Sequence, residues 1–273
     1  LDTKPKVEQK VETTNPEAYE YYLKAKHKYE KRDNTDDTEI ARGLLKKAIE
    51  LDDNLLLAKN LLGTSYREMG DYDKAMNIYT SSLKQAEELG NKYGMGDSLN
   101  NIGNVHYYKG DYDKALDYHA RSLAILEELG DKRGMGIILG NIGNVYGIKG
   151  DSDKALDYYA RSLAILEELG DKHGMGFSLN SIGNVYGIKG DYEKALEYLE
   201  KSLSIQKEIG VGADDLLETT TYLYLTYKHL EKDYDINEIH ALIKEADNIE
   251  YDLNLELYEL LEDTSYLETA YNQ

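Results

Sequence analysis

Apolar residues from position 17 onward recur at helical spacing and are interrupted at regular intervals by glycine. In one such stretch, a first helix is predicted from about Met95 to Tyr108, and Gly110 then breaks the pattern. Asp111 stands where it would cap a second helix. This stretch therefore predicts two helices joined by a tight turn. Its second helix carries one face of small and apolar residues: Ala115, His119, Ser122, Leu123, Leu126 and Leu129.

The helix pair is repeated along the chain with a period of 40 residues. Residues 95–134 and 135–174 are identical at 31 of 40 positions. Residues 175–214 form a third copy, and residues 55–94 a looser one. A repeat of this length cannot bury its apolar face alone, so successive copies are expected to stack into a helical solenoid.

More divergent segments flank the clear copies. Residues 32–37 are a polar run that lengthens the turn of a first unit, and both prolines, Pro5 and Pro16, lie near the start. The last residues are rich in leucine, which suits a helix that caps the array. The predicted boundaries are a polar linker at 1–16, six units at 17–54, 55–94, 95–134, 135–174, 175–214 and 215–250, and a capping helix at 251–273.

Small and aromatic residues recur at the same positions of four units. Small residues let two helices approach closely, and aromatic rings fill the gaps beside them. The positions are Gly63, Tyr66, Gly70, Ala75, Tyr79 and Ser82, then Gly103, His106, Gly110, Ala115, His119 and Ser122, then Gly143, Tyr146, Gly150, Ala155, Tyr159 and Ser162, and finally Gly183, Tyr186, Gly190, Ala195, Leu199 and Ser202.

This pattern resembles the tetratricopeptide-repeat (TPR) family over about residues 17–250. The resemblance implies an all-α fold, a right-handed superhelical solenoid of antiparallel helix pairs. The usual unit has about 34 residues and ends in proline, whereas this one has 40 and carries EELGDK there. The longer unit is similar to TPR arrays of spindle-orientation adaptors, and residues 15–23 resemble the start of TPR regions in bacterial signalling proteins.

The resemblance also implies that the first helix of each pair lines a concave groove. Asn104, Asn144 and Asn184 occupy one position in three successive units, and an amide can both donate to and accept from a peptide main chain. Alternatively, these asparagines bridge helices of their own scaffold. The candidate peptide-binding residues are Asn101, Asn104, Tyr108, Asn141, Asn144, Ile148, Phe177, Asn180, Asn184 and Ile188.

The same resemblance argues against one class of ligand. Some TPR domains clamp a C-terminal carboxylate with basic residues beside asparagine. One such position here holds no basic residue in four units, which disfavours a carboxylate-tail ligand. Its occupants are Asn60, Asn100, Gly140 and Asn180.

Composition narrows the range of partners. The formal net charge of −20 repels nucleic acids and anionic membranes and favours basic partners. The chain has no cysteine, so disulfides and thiolate metal sites are excluded. No apolar run approaches the ~20 residues that span a bilayer. Because the chain opens with Leu1 and not Met, we read it as part of a longer protein. We also expect a cytoplasmic location.

Acidic pairs and histidines are the residues that could suggest chemistry. The pairs, such as Asp111 and Asp113, lie where second helices start, and acids there are favoured by capping and by the helix dipole. His106 and His119 replace tyrosines of the next unit and are expected to pack. We therefore expect no catalytic residue, no metal site and no cofactor.

The sequence predicts a non-enzymatic scaffold of a larger signalling protein. Its groove would bind a peptide or helix of a partner protein, with the chain monomeric or weakly self-associating. The alternative is a structural, self-associating or intramolecular regulatory array without a dedicated ligand.

Overall fold

The computed structural model describes residues 15–32, 35–246, 249, 251–263, 265–266 and 269. Within these ranges the chain forms thirteen α-helices and no strand, as the all-α prediction requires. The chain divides into two compact units, each made of several repeats: the first unit is residues 1–130 and the second unit is residues 131–273. The first unit contains α1 (Pro16–Glu30), α2 (Thr35–Leu51), α3 (Leu56–Glu68), α4 (Tyr72–Leu89), α5 (Lys92–Tyr108) and α6 (Tyr112–Leu129). The second contains α7 (Lys132–Ile148), α8 (Ser152–Leu169), α9 (Lys172–Ile188), α10 (Tyr192–Ile209), α11 (Ala213–His229), α12 (Ile236–Glu245) and α13 (Tyr251–Leu261).

Two helices begin earlier than the sequence predicts. Helix α5 starts at Lys92 and not near Met95, because the side chain of Asn91 accepts a hydrogen bond from the Gly94 amide at 2.9 Å. Helix α1 includes Pro16, which was assigned to the linker, because Asn15 caps it and proline suits a first turn. The rest of that linker, residues 1–14, and much of the predicted capping segment beyond residue 261 lie outside the described residues.

Tight turns join the two helices of each pair. Gly150, between α7 and α8, has a φ of +76°, a left-handed conformation that glycine adopts without a Cβ penalty. Gly170 ends α8 in the same way, with a φ of 66°. These turns explain the regular spacing of glycine in the sequence.

Asp111 departs from its predicted capping role. It occupies the N-cap position of α6, but its side chain makes no capping hydrogen bond. Its Oδ2 atom lies 3.2 Å from Nδ1 of His106 and 3.4 Å from Nζ of Lys114. These two hydrogen bonds lower the pKa of the Asp111 carboxyl, and the one with His106 has the larger effect. The imidazole, which replaces a tyrosine of the other copies, therefore competes with the helix for this carboxylate.

Other aspartates do cap their helices, and their contribution can be measured. Asp171 accepts from the Gly174 amide at 3.2 Å and pairs with exposed Arg133 at 3.1 Å. We expect Asp171→Ala to lower the free energy of unfolding by about 1 kcal/mol in chemical denaturation. Asp171→Asn keeps the accepting oxygen and loses only the ion pair, so it is the matched control and should cost less. Equal losses in the two variants would contradict the capping role.

A glycine and a ring pack between the helices of three of the four clear pairs. A Cβ atom on Gly143 would lie 2.7 Å from the ring of Tyr159, so only glycine admits the ring there. Gly63 faces Tyr79 and Gly103 faces His119 in the same way. At the last clear pair the partner of Gly183 is the smaller Leu199.

A second small residue joins the same helix pairs by a hydrogen bond. Ser162 donates to the backbone carbonyl of Gly136 at 2.7 Å, and Ser202 donates to that of Gly176 at 2.8 Å. Both hydroxyls are buried, where an unmade hydrogen bond would be costly. Ser162 and Ser202, like Ser122, which donates to the Gly96 carbonyl, therefore serve the scaffold.

Candidate functional site

The predicted site residues of the first unit lie on α5, and one of them, Tyr108, contacts the unit's own scaffold. Asn101 and Asn104 are half-buried, and Tyr108 is exposed near the helix end. The Tyr108 ring stacks on Tyr72, with centroids 6.2 Å apart, and Arg67 lies over it at 5.3 Å. These contacts orient the Tyr108 ring.

The predicted site residues of the second unit lie on α7 and α9, which contact each other. Asn141, Asn144 and Ile148 follow one another at helical spacing on α7, and Phe177, Asn180, Asn184 and Ile188 do so on α9. Ile148, Phe177 and Ile188 are exposed, and Ile188 reaches 73%. The structure thus places an apolar set next to the asparagines, as a groove would require.

The asparagines of the second unit have different partners. Asn144 accepts a hydrogen bond from the Tyr159 hydroxyl at 2.6 Å. Asn180 is only 4% exposed and donates to a carboxylate oxygen of Glu218 on α11 at 3.1 Å. Asn184 is half-buried, and Leu199, which stands where Tyr159 does in the preceding pair, has no hydroxyl to offer it. The three amides therefore offer a partner different hydrogen-bonding capacity.

A cavity of about 170 Å³ opens beside Asn184 and Ile188. Buried Leu199 and Leu225 line it together with Gly183 and Gly187. The cavity lies between α9, α10, α11 and α13, all within the second unit. It combines apolar side chains with an amide in a space that is large enough for one side chain of a partner.

The cavity exists because the last clear repeat has leucine at position 199, where the preceding copies have an aromatic or imidazole ring. In the preceding pair, the Tyr159 hydroxyl lies 3.8 Å from where a Cβ atom of Gly147 would be. At the equivalent Gly187 no atom lies within 4 Å in the described part of the chain. Leucine at 199 therefore leaves open the space that a phenol fills elsewhere.

Carboxylates border one side of this cavity. Glu256 and Glu259, both on α13, line it, and no lysine or arginine does so among the described residues. The Glu259 carboxylate lies 3.9 Å from Nε2 of His229, and the His229 ring stacks on Tyr192 with centroids 4.3 Å apart. Lys228, the nearest basic neighbour in sequence, donates to the Glu259 carbonyl and so lies along α13. The rim is therefore acidic.

Several residues that line this cavity were not predicted from the sequence. They belong to α11 and α13, where the repeat pattern is degenerate, so no spacing connected them to Asn184. Leucine at position 199, where other copies have a ring, was the one signal of the cavity. The missed residues are Tyr222, Leu225, Thr226, His229, Glu256 and Glu259.

Neither a metal-ligand cluster nor a membrane-spanning helix is found in the part of the chain that the structure describes. No group of three or more histidine, aspartate or glutamate side chains is placed to hold a metal ion within the described ranges. In the same residues, no helix is both long enough and apolar enough to cross a bilayer.

Solved structures with the same fold include two Rap proteins and a protein with a tetratricopeptide-repeat sensor. The chain superposes on a Rap protein complexed with competence and sporulation factor with a TM-score of 0.71 at 18% identity, covering 93% of this chain and 71% of that one. The apo form of RapI gives a TM-score of 0.71 at 16% identity and 94% coverage of each chain. These identities show a shared fold only.

A third neighbour is a signal-transduction ATPase with a tetratricopeptide-repeat sensor from Pyrococcus horikoshii. It matches with a TM-score of 0.67 at 20% identity over 91% of this chain, which spans 37% of that protein. A comparison with curated proteins found no match.

The sequence itself matches a family model. Residues 54–128 and 134–208, more than half of the chain, match the model described as tetratricopeptide repeat. The match begins at the end of the first predicted repeat, residues 17–54. It covers the four clear copies of the repeat, residues 55–214, apart from the short gaps at 129–133 and 209–214. The chain belongs to the tetratricopeptide-repeat family.

Proposed function

We propose that the second unit binds a peptide or helical segment of another protein along α7 and α9, as part of a larger signalling protein. The observation that carries this proposal is the exposed apolar set, Ile148, Phe177 and Ile188, beside the Asn184 amide and the open cavity. Apolar side chains of a ligand would be buried there, and Asn184 would pair with its main chain. The Rap protein solved with competence and sporulation factor has the same fold, which supports this use.

The asparagines of α7 and α9 have a narrower role in this proposal than the sequence predicted. Asn144 and Asn180 already hydrogen-bond to Tyr159 and Glu218, so a ligand would compete with those bonds. Asn184 faces a leucine and lies at the cavity. We therefore assign the main-chain contact to Asn184, and we expect Asn184→Ala to weaken binding more than Asn144→Ala.

Selection of ligands from a random dodecamer display library tests the proposal. We expect peptides that bind with a Kd on the order of micromolar, or roughly −8 kcal/mol. Ile188→Gln, which replaces the most exposed apolar side chain of α9 with a neutral polar one, should weaken their binding at least tenfold in calorimetric titration. Leu169→Gln is the matched control, because Leu169 is 45% exposed at the end of α8 and does not belong to the proposed contact set.

The outcomes separate the proposal from its alternative. Binding lost in Ile188→Gln and retained in Leu169→Gln, with circular dichroism unchanged in both, supports the groove. A selection that enriches no peptide, or peptides that bind both variants equally, contradicts it and favours a structural or self-associating array.

A further inference from the structure

We infer that the cavity beside Leu199 takes a lysine or arginine side chain, so that the partner segment is basic at this point. This inference rests on the proposed function, because it specifies what the same groove selects. It is carried by the missing ring at position 199 and by the carboxylates that border the space left open.

The cavity matches the apolar part of a long basic side chain. Leu199, Leu225 and the two lining glycines, Gly183 and Gly187, would contact the methylene stem. Lysine and arginine bury this stem readily while their charged ends stay near water. Tyr222 also lines the cavity, so its ring could contact the cation. A shorter side chain would leave part of the space unfilled.

Charge complementarity favours the cation over an apolar side chain of the same length. Glu256 and Glu259 border the cavity, and Glu259 is more than half exposed, so a ligand can reach it. Because the carboxylates are partly solvated, a charged end placed there keeps much of its hydration and still gains the attraction. The net charge of −20 would in addition speed the encounter with a basic segment.

The peptides selected on the wild-type chain provide the probe. We expect one position to be lysine or arginine in most of them, and its replacement by glutamine to weaken binding to the wild-type chain at least tenfold. In the double variant Glu256→Gln/Glu259→Gln, the same replacement should change affinity less than threefold. That difference is the coupling energy of a double-mutant cycle. Glu193→Gln/Glu197→Gln on α10 removes the same charge away from the cavity and should retain the tenfold effect.

A second variant tests the shape of the cavity independently of its charge. Leu199→Tyr should place a phenol in the open space, with its hydroxyl near Asn184, as Tyr159 donates to Asn144 in the preceding pair. We expect this variant to melt at or above the wild-type temperature and to bind the selected peptides at least tenfold more weakly. Undiminished binding in a folded Leu199→Tyr variant would overturn the inference.

The remaining outcomes distinguish this inference from the proposed function. Peptides that depend on Ile188 but carry no common basic residue, or whose basic residue is indifferent to Glu256 and Glu259, overturn the inference and leave the groove standing. Peptides that bind independently of Ile188 overturn both.

Discussion

Replacing Tyr159 with alanine is expected to lower the free energy of unfolding by about 3–5 kcal/mol, the range for an aromatic side chain deleted from a core. The ring is 4% exposed and packs against Ile182 and Val185. It also fills the gap that Gly143 leaves between α7 and α8. Alanine would leave a cavity there and remove the donor that Asn144 accepts from. Chemical denaturation followed by circular dichroism measures the loss.

The matched control for this variant is Tyr159→Phe. Phenylalanine keeps the ring and removes the hydroxyl, so we expect a loss of about 1 kcal/mol, the usual net value of one hydrogen bond. A similar loss in both variants would show that the ring does not hold the two helices together. The account of the repeat as glycine-and-ring packing would then be wrong.

Acidification should selectively destabilise the chain through His119. The side chain is 1% exposed, and Nδ1 finds no hydrogen-bond partner within the described residues. Burial lowers the pKa of His119 from 6.5 to about 4. The unfolded chain takes up this proton near pH 6.5, whereas the folded chain does so only near pH 4. His119 therefore does not reduce the free energy of unfolding above pH 6.5, and it reduces it progressively as the pH falls from 6.5 to 4. The full loss is about 3 kcal/mol.

His119→Tyr isolates this contribution from the titration of other groups. Tyrosine occupies the equivalent place opposite Gly63 and Gly143, so the variant should fold. We expect the difference in unfolding free energy between this variant and the wild type to grow by about 3 kcal/mol between pH 7 and pH 4. A difference that stays constant over this range would contradict the burial of a neutral imidazole.

The repeat architecture was predictable because it depends on local spacing. A helix glycine, a turn glycine and an aspartate at the helix start each recur every 40 residues, so four copies identify the family. In three of the four copies the helix glycine faces a ring. The predicted start of α5 is too late because the glycines near it, Gly94 and Gly96, suggest a turn. The structure shows why glycine is needed at this place in the repeat: a Cβ atom on Gly174, which occupies the place of Gly94 two repeats later, would lie 2.8 Å from Leu166.

The details of the site depend on contacts between distant residues, which spacing does not reveal. The Asn180 amide pairs with Glu218, 38 residues away, in a unit too divergent for its register to be predicted. The acidic rim comes from α13, beyond the last recognisable repeat. A single change of residue type, leucine for tyrosine at position 199, converts a packed pair into an open one. That change was visible in the sequence, but its consequence needed the neighbouring helices.

The most direct test of the groove is a crystal structure of the chain with the tightest-binding selected peptide. We predict that the peptide lies along α7 and α9, that its main chain contacts the Asn184 amide, and that a lysine or arginine side chain enters the cavity beside Leu199. A peptide bound on α8 and α10, with the cavity and Ile188 uncovered, would contradict the account.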